Sequence, residues 1–328
     1  MTRGNIKIKN PERFMGEHEI SSKKLDAAIK KATDKLRSKI EIYKDYFPQN
    51  SYRSGAHNVY LLGENNNWQS GLLTGCMVLA YDLTGEKCFL DTAIAHLPTY
   101  LKRLDNSFDY NYDLHCHDVG FVFTPSCVAL YKRTGNEEAK ALAIRAARHL
   151  YNVSYSHRGG FFVSSVLKAA GPLGCRTMMD TLLNIPLLYW AHEMTGDKKF
   201  LDAANSQVDI TEKYLIREDG SSYHHYQFDV DTHKPLYGVT FQGNRDESTW
   251  SRGQSWGILG IPIAYNYTKN TMLLLLQRDI TYFMLDHLPE DYVPYWDYDF
   301  TEGDEPRDSS AGAIAVCGLL EAAKFLPD

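Results

Sequence analysis

The sequence predicts an all-α protein built as a ring of helical hairpins. Three observations predict it. A short turn signature recurs four times between apolar runs of helical spacing, strand-like alternation is confined to short pieces, and the chemistry-bearing polar residues collect in the long segments that join the hairpins.

The signature reads AYDLTGEKCFLDTA at 80–93, LYKRTGNEEAKALAIRAA at 130–147 and AHEMTGDKKFLDAA at 191–204, with a weaker copy, YNYTKNTMLLLLQRDI, at 265–280. Each Thr-Gly step fits a helix C-terminus, where glycine takes the left-handed conformation and a following polar residue starts the next helix. Apolar residues then return at helical spacing, as Phe200, Leu201, Ala204 and Val208 do after the third turn. The pattern places helices near 22–44, 68–84, 87–105, 118–133, 136–152, 176–195, 198–216, 250–267, 271–287 and 309–325. The turns are unevenly spaced, which suits a ring with long linkers better than a regular solenoid. The segment SSYHHYQFDVD predicts a small hairpin excursion.

Composition narrows the function. The 328 residues are 44% hydrophobic and 23% charged, which is ordinary for a globular chain with a sizeable core. A net charge of −6 without any basic run disfavours nucleic acid. No apolar leader and no membrane-spanning stretch is evident, so a cytoplasmic protein without membrane contact is expected. Six scattered cysteines without a CxxC pair read as reduced thiols. The 22 tyrosines and 5 tryptophans suit a carbohydrate cleft, because aromatic faces pack on the C–H faces of sugar rings.

Four clusters could carry chemistry. The first is Asp113-Leu114-His115-Cys116-His117-Asp118-Val119-Gly120-Phe121, with Asp118 at a helix N-terminus, either as a cap or as a functional acid. Its histidines invite a metal reading, but no second ligand set matches them, and no metal is expected. The second is Arg176 to Trp190, where Asp180 lies in an apolar stretch with Asn184 one helical turn on. A carboxyl buried in such surroundings stays protonated closer to neutrality, as a general acid must; the alternative is an ion pair with Arg176. The third joins Ser221-Ser222-Tyr223-His224-His225-Tyr226 to Phe241-Gln242-Gly243 and offers donors for sugar hydroxyls or a carboxylate, though a solvated loop would look similar. The fourth, Asp246 to Gly257, places Arg252 and Trp256 four apart on one helix face, a guanidinium beside an indole; core packing is the alternative for its tryptophans.

Taken in order, HDVGF at 117–121, MMDTLLNIPLLYWA at 178–191, DESTWSRGQSWGI at 246–258 and DEPRDSSAGAIAVCGLLE at 304–321 resemble the unsaturated glucuronyl hydrolases, glycoside hydrolase family 88. The resemblance implies one (α/α)6 barrel domain over 1–328, a six-hairpin toroid lacking the family's final helices. Ten helices against twelve imply a shortened chain or a ring closed by a second copy, as a homodimer. It further implies removal of a 4,5-unsaturated uronic acid from the non-reducing end of lyase-generated oligosaccharides, such as glycosaminoglycan disaccharides, by hydration of the vinyl ether and without a cofactor. By position, Asp180 matches the general acid/base and Asp118 the second essential aspartate. His224, Gln242, Arg252, Trp256, His117 and Trp68 match substrate-binding positions. Two departures stand out. Trp68-Gln69-Ser70-Gly71-Leu72-Leu73 replaces a segment with a second aromatic, and Phe161-Phe162-Val163-Ser164-Ser165 replaces one that ends in tryptophan. A weakly active or inactive binder of uronate oligosaccharides, a rhamnogalacturonyl hydrolase-like enzyme and a helical-repeat scaffold are the competing readings.

Overall fold

The structure is a computed structural model that describes residues 3–16, 20–52, 60–107, 114–165 and 168–326. The chain divides into two compact units, residues 16–153 and residues 154–328 with the N-terminal 1–15.

In the 16–153 unit, α1 (Ser22–Arg37) starts on Ser21, whose hydroxyl accepts the Lys24 N–H at 3.4 Å, and a short α2 (Ile40–Tyr43) follows. An antiparallel pair, β1 (Phe47–Tyr52) and β2 (Tyr60–Gly63), leads to α3 (Ser70–Thr84). The expected helix at 87–105 is two helices, α4 (Lys87–Ala95) and α5 (Leu97–Asp105), because Pro98 has no N–H to continue the ladder. At the break, buried His96 ties Thr74 Oγ1 at 2.8 Å to the Tyr43 carbonyl at 2.6 Å. The expected helix at 118–133 is likewise interrupted. α6 (Val119–Phe123) passes through a π turn (Thr124–Val128) around Pro125 before α7 (Ala129–Thr134), and α8 (Glu137–Ser154) completes the hairpin.

In the other unit, a two-residue pair, β3 (Tyr155–Ser156) with β4 (Phe161–Phe162), precedes a larger departure. Residues 176–195 do not form one helix. Arg176–Met178 is strand β5, Met179–Leu183 is a 3-10 turn, and only Pro186–Thr195 is α-helical, as α9, with proline at its first position. The hairpin partner α10 (Lys198–Ile210) ends in a π turn, Thr211–Leu215. The excursion expected at 221–231 supplies β6 (His225–Phe228), which with β7 (Pro235–Val239) forms the sheet β5-β6-β7. Helices α11 (Ser251–Thr268), α12 (Met272–Asp286) and α13 (Ser309–Ala323) follow close to their expected limits. The N-terminal segment bolts onto this unit. Arg3 is buried and donates to the carbonyls of Glu212, Ile216 and Arg217 at 3.0–3.3 Å, while the Gly4 N–H donates to Asp279 at 2.8 Å.

The three Thr-Gly steps of the turn signature are helix ends of one kind. Gly85, Gly135 and Gly196 have φ near +70°, and each donates its N–H to the carbonyl four residues back at 2.8 Å. The weaker copy obeys the same geometry with Lys269 in the glycine place, at φ 55°. Both phenylalanines at 161–162 are fully buried, and Phe161 stacks on Phe228 at 4.1 Å, so this segment serves the core.

Candidate active site

In the 16–153 unit the site residues sit where a loop enters α6. Asp118 occupies the N-cap position, yet its side chain makes no capping hydrogen bond. One carboxylate oxygen instead lies 3.4 Å from His117 Nε2, and the other accepts from the Cys116 thiol at 3.6 Å. Capping is therefore not what Asp118 does, in contrast to Asp197 and Asp308, which accept backbone N–H groups at the starts of α10 and α13. Trp68, half-buried before α3, packs against Phe121 of α6 with ring centroids 5.3 Å apart. Asp113, the third acid of this cluster, lies outside the described residues.

In the other unit, strand pairing replaces the expected helix as the device that presents Asp180. Met178 pairs with His225, and the Met179 N–H donates to the His224 carbonyl at 3.1 Å, so the half-buried Asp180 follows directly on the strand, within electrostatic reach of His225. Asn184 holds the main chain at this point, donating Nδ2 to the Asp180 carbonyl at 3.2 Å. The close approach of α11 depends on Gly260, where a Cβ would meet Leu182 of the 3-10 turn at 2.5 Å.

His224 is fixed as one tautomer. Its Nδ1 accepts the backbone N–H of Phe241 at 3.1 Å and of Gln242 at 3.4 Å; a backbone N–H can only donate, so the ring proton of neutral His224 is on Nε2. The ring packs on Trp250 at 4.6 Å. The Arg252 guanidinium covers the face of Trp250 at 4.7 Å, so the indole paired with it is Trp250, at the N-cap of α11, and not the expected Trp256, which is half-buried. Arg252 donates to Gln242 Oε1 and to Ser310 Oγ, both at 3.2 Å, and lies 3.5 Å from the Asp308 carboxylate. Gln242 and Arg252 are thus brought together, with Asp308 and Ser310 of the α13 cap as neighbours that the sequence reading left out; the D-S-S step before an apolar run was their signal.

A second group joins residues of the second and third sequence clusters. Arg176 places its guanidinium 3.9 Å over the Phe241 ring and donates Nε to Ser164 at 3.1 Å, and the His225 ring lies 4.7 Å from the same phenylalanine. Burial pushes the Arg176 guanidinium down to about 10, with the Asp180 charge opposing, so it remains a cation at neutral pH and faces the acid electrostatically. Burial, with His224 and Arg176 nearby, pushes His225 down to about 3, and it is neutral.

A helical-hairpin chain that presents a non-capping aspartate, a second aspartate beside a cation, a tautomer-fixed histidine and an Arg–Trp–Gln group has the parts of a carbohydrate-active hydrolase. The chain belongs to Glycosyl Hydrolase Family 88, whose model matches residues 39–322. It is 38% identical over 326 residues to the unsaturated chondroitin disaccharide hydrolase of Streptococcus agalactiae, covering 98% of this chain and 79% of that protein. It is 37% identical over 292 residues to the unsaturated glucuronyl hydrolase of a Bacillus species, covering 87% and 74%. The solved unsaturated glucuronyl hydrolase of S. agalactiae superimposes with a TM-score of 0.92 at 37% identity, over 100% of this chain and 81% of that one. The fold class is the (α/α)6 barrel of those enzymes.

Proposed function

We propose that the enzyme releases 4,5-unsaturated uronic acid from the non-reducing end of lyase-generated oligosaccharides, with unsaturated glycosaminoglycan disaccharides as substrates. The observation that carries the reading is the pair of differently held aspartates, Asp118 turned from its helix toward His117 and Asp180 presented by a strand near His225, in a chain related along 98% of its length to an unsaturated chondroitin disaccharide hydrolase. A further support is the S. agalactiae enzyme complexed with dGlcA-GalNAc6S, whose structure this chain matches over 100% of its length at 35% identity, with a TM-score of 0.84.

The reaction moves protons and water only. Asp180, protonated, delivers a proton to C4 of the vinyl ether; water adds at C5 and returns a proton to the Asp180 carboxylate. The C5 hemiketal opens by breaking its bond to the ring oxygen, and the hemiacetal left at C1 then releases the remaining sugar. Asp118 holds substrate hydroxyls. His224, as a fixed Nε2–H donor, and Gln242 add hydrogen bonds, Arg252 supplies a cation for the uronate carboxylate, and His117, Trp68 and Trp256 complete the contacts. The six cysteines are free thiols, three of them exposed, which supports a reducing compartment and hence the cytoplasm as the place of reaction.

The test follows the ultraviolet absorbance of the conjugated C4=C5 bond with unsaturated chondroitin and heparin disaccharides. Wild type should bleach the band, and Asp180→Asn should lower kcat by roughly 10²- to 10⁴-fold. Unchanged absorbance with folded wild type on every disaccharide would overturn the reading.

A further inference from the structure

The loop that carries Gln242 folds around a carboxylate that belongs to none of the four sequence clusters. Asp297 has no solvent exposure and no cation beside it among the described residues. It is satisfied by neutral donors instead. Oδ2 accepts the Ser248 hydroxyl at 2.6 Å and the Asn244 N–H at 2.9 Å, and Oδ1 accepts the Asp299 N–H at 3.0 Å. Gly243 passes so close that a Cβ there would stand 2.9 Å from Oδ2. The main chain on either side is stitched to the same loop: Trp250 bridges to Asp297, the Ser251 N–H donates to the Trp296 carbonyl at 3.1 Å, and the Tyr298 N–H donates to Thr249 at 2.9 Å. At its other end the loop supplies the two N–H groups that enter His224 Nδ1 and the amide that meets Arg252.

We infer that Asp297 is a positioning residue: its buried carboxylate holds the 240–250 loop in the geometry that fixes the His224 tautomer and sets Gln242 against Arg252. The role rests on the proposed reaction. The chemistry favours aspartate here because its two side-chain oxygens take all three donors at once. Asparagine has one acceptor oxygen and turns an NH₂ toward the remaining donors, and a buried donor left facing another donor loses its bond outright. Three convergent donors also explain how the carboxylate tolerates full burial without an ion pair.

Asp297→Asn and Asp297→Asn/Gln242→Ala are compared with Gln242→Ala and wild type by steady-state kinetics on an unsaturated chondroitin disaccharide, and by amide hydrogen exchange read by mass spectrometry over 240–250. Asp297→Asn should speed exchange in the loop and lower kcat/KM by about ten- to a hundredfold, mostly through KM. Because the effect runs through Gln242 and His224, the same substitution should cost markedly less on the Gln242→Ala background. Should Asp297→Asn not fold, Ser248→Ala removes a single donor and should give the same pattern at about threefold. Unchanged exchange and KM, or losses that multiply independently of Gln242→Ala, would overturn the positioning role. Wild type without turnover would overturn the substrate reading alone, since loop exchange in the variant still decides what Asp297 does.

Discussion

The hairpin turns and the loops that carry the site are closed by opposite kinds of bond. In the turns, Thr84, Thr134, Thr195 and Thr268 each donate their hydroxyl to the carbonyl four residues back, at 2.7–3.0 Å, and accept the N–H two residues on, at 3.1–3.3 Å. Every such bond is local, falling within the same seven-position span each time. In the loops the defining bonds join residues far apart in the chain: Phe241 to His224 across 17 positions, Ser248 to Asp297 across 49, Arg252 to Ser310 across 58. A turn can form as soon as its own helix does, whereas the site exists only once several hairpins are in place. The turns determine the scaffold, and the site geometry is downstream of it.

The largest break in this comparison is expected at Arg252. Replacing it with alanine removes its bonds to Gln242 and Ser310 and leaves every turn untouched. The expected outcome is a fall in kcat/KM of about a hundredfold, from loss of a charge-assisted contact worth about 2–3 kcal/mol, with the melting temperature nearly unchanged because the side chain is a third exposed. Arg252→Lys should recover little, since an ammonium cannot reach both partners in the plane of a guanidinium. An equal loss of stability would mean that the group holds the fold rather than the substrate.

Acid should then separate the two regions. His225 is buried and its pKa falls from 6.5 to about 3, so its contribution to stability is fully present above about pH 6.5 and is lost as pH falls toward 3, where the unfolded chain binds a proton that the folded one refuses. The slope is about 1.4 kcal/mol per pH unit, or roughly 2 kcal/mol between pH 6.5 and 5. Burial pushes His96 and His149 down as well and adds in the same direction. Urea unfolding at pH 7 and pH 5 measures the total, and His225→Gln should make the difference smaller. Among the described residues the first two turns carry no histidine bond, whereas in the third His192 Nδ1 bonds the Asp197 carbonyl at 3.2 Å, so hydrogen exchange at pH 5 should open 222–228 before Gly85 or Gly135. The reverse order would contradict the placement of the acid sensitivity.

The same local and distant division explains what could be read from the chain. Helices α11 and α13 fall within about two residues of their expected limits because period and cap both lie inside the segment. The breaks at Pro98 and Pro125 had local signals that the apolar period overrode. Arg176-Thr177-Met178 had almost none. The run through Leu183 reads as a helix, and it becomes a strand because His225–Gln227 arrives beside it from a distant part of the chain. Asp118 was legible as an acid at a helix start, but only the geometry tells a cap from a carboxylate turned elsewhere. Asp297 carries no local mark, since its three donors are set by folding.

A smaller effect tests the turns themselves. Gly196→Ala puts a Cβ on a residue at φ 70°, where nothing crowds it within 4 Å, so the cost is the backbone strain of the left-handed region alone, about 1 kcal/mol. The variant should melt a few degrees lower with kcat/KM unchanged. Loss of activity without loss of stability would show that the turn communicates with the loops.

The smallest effect is a gain. Lys269 holds the glycine position of the fourth turn at φ 55°, with its N–H on the Tyr265 carbonyl at the same 2.8 Å as the three glycines. Its strain of about 1 kcal/mol is offset in part by its own side chain, whose ammonium donates to Asn266 Oδ1 at 3.0 Å and lies 5.7 Å from the Tyr265 ring and 5.3 Å from that of Phe325. Lys269→Gly relieves the strain, forfeits those exposed contacts and enlarges the freedom of the unfolded chain. The difference should be a stabilisation of about 0.5 kcal/mol, a rise in melting temperature of roughly 1–2 °C. A fall of the same size would show that the cation over the two rings outweighs the backbone, so that the fourth turn is closed by its side chain where the other three are closed by glycine.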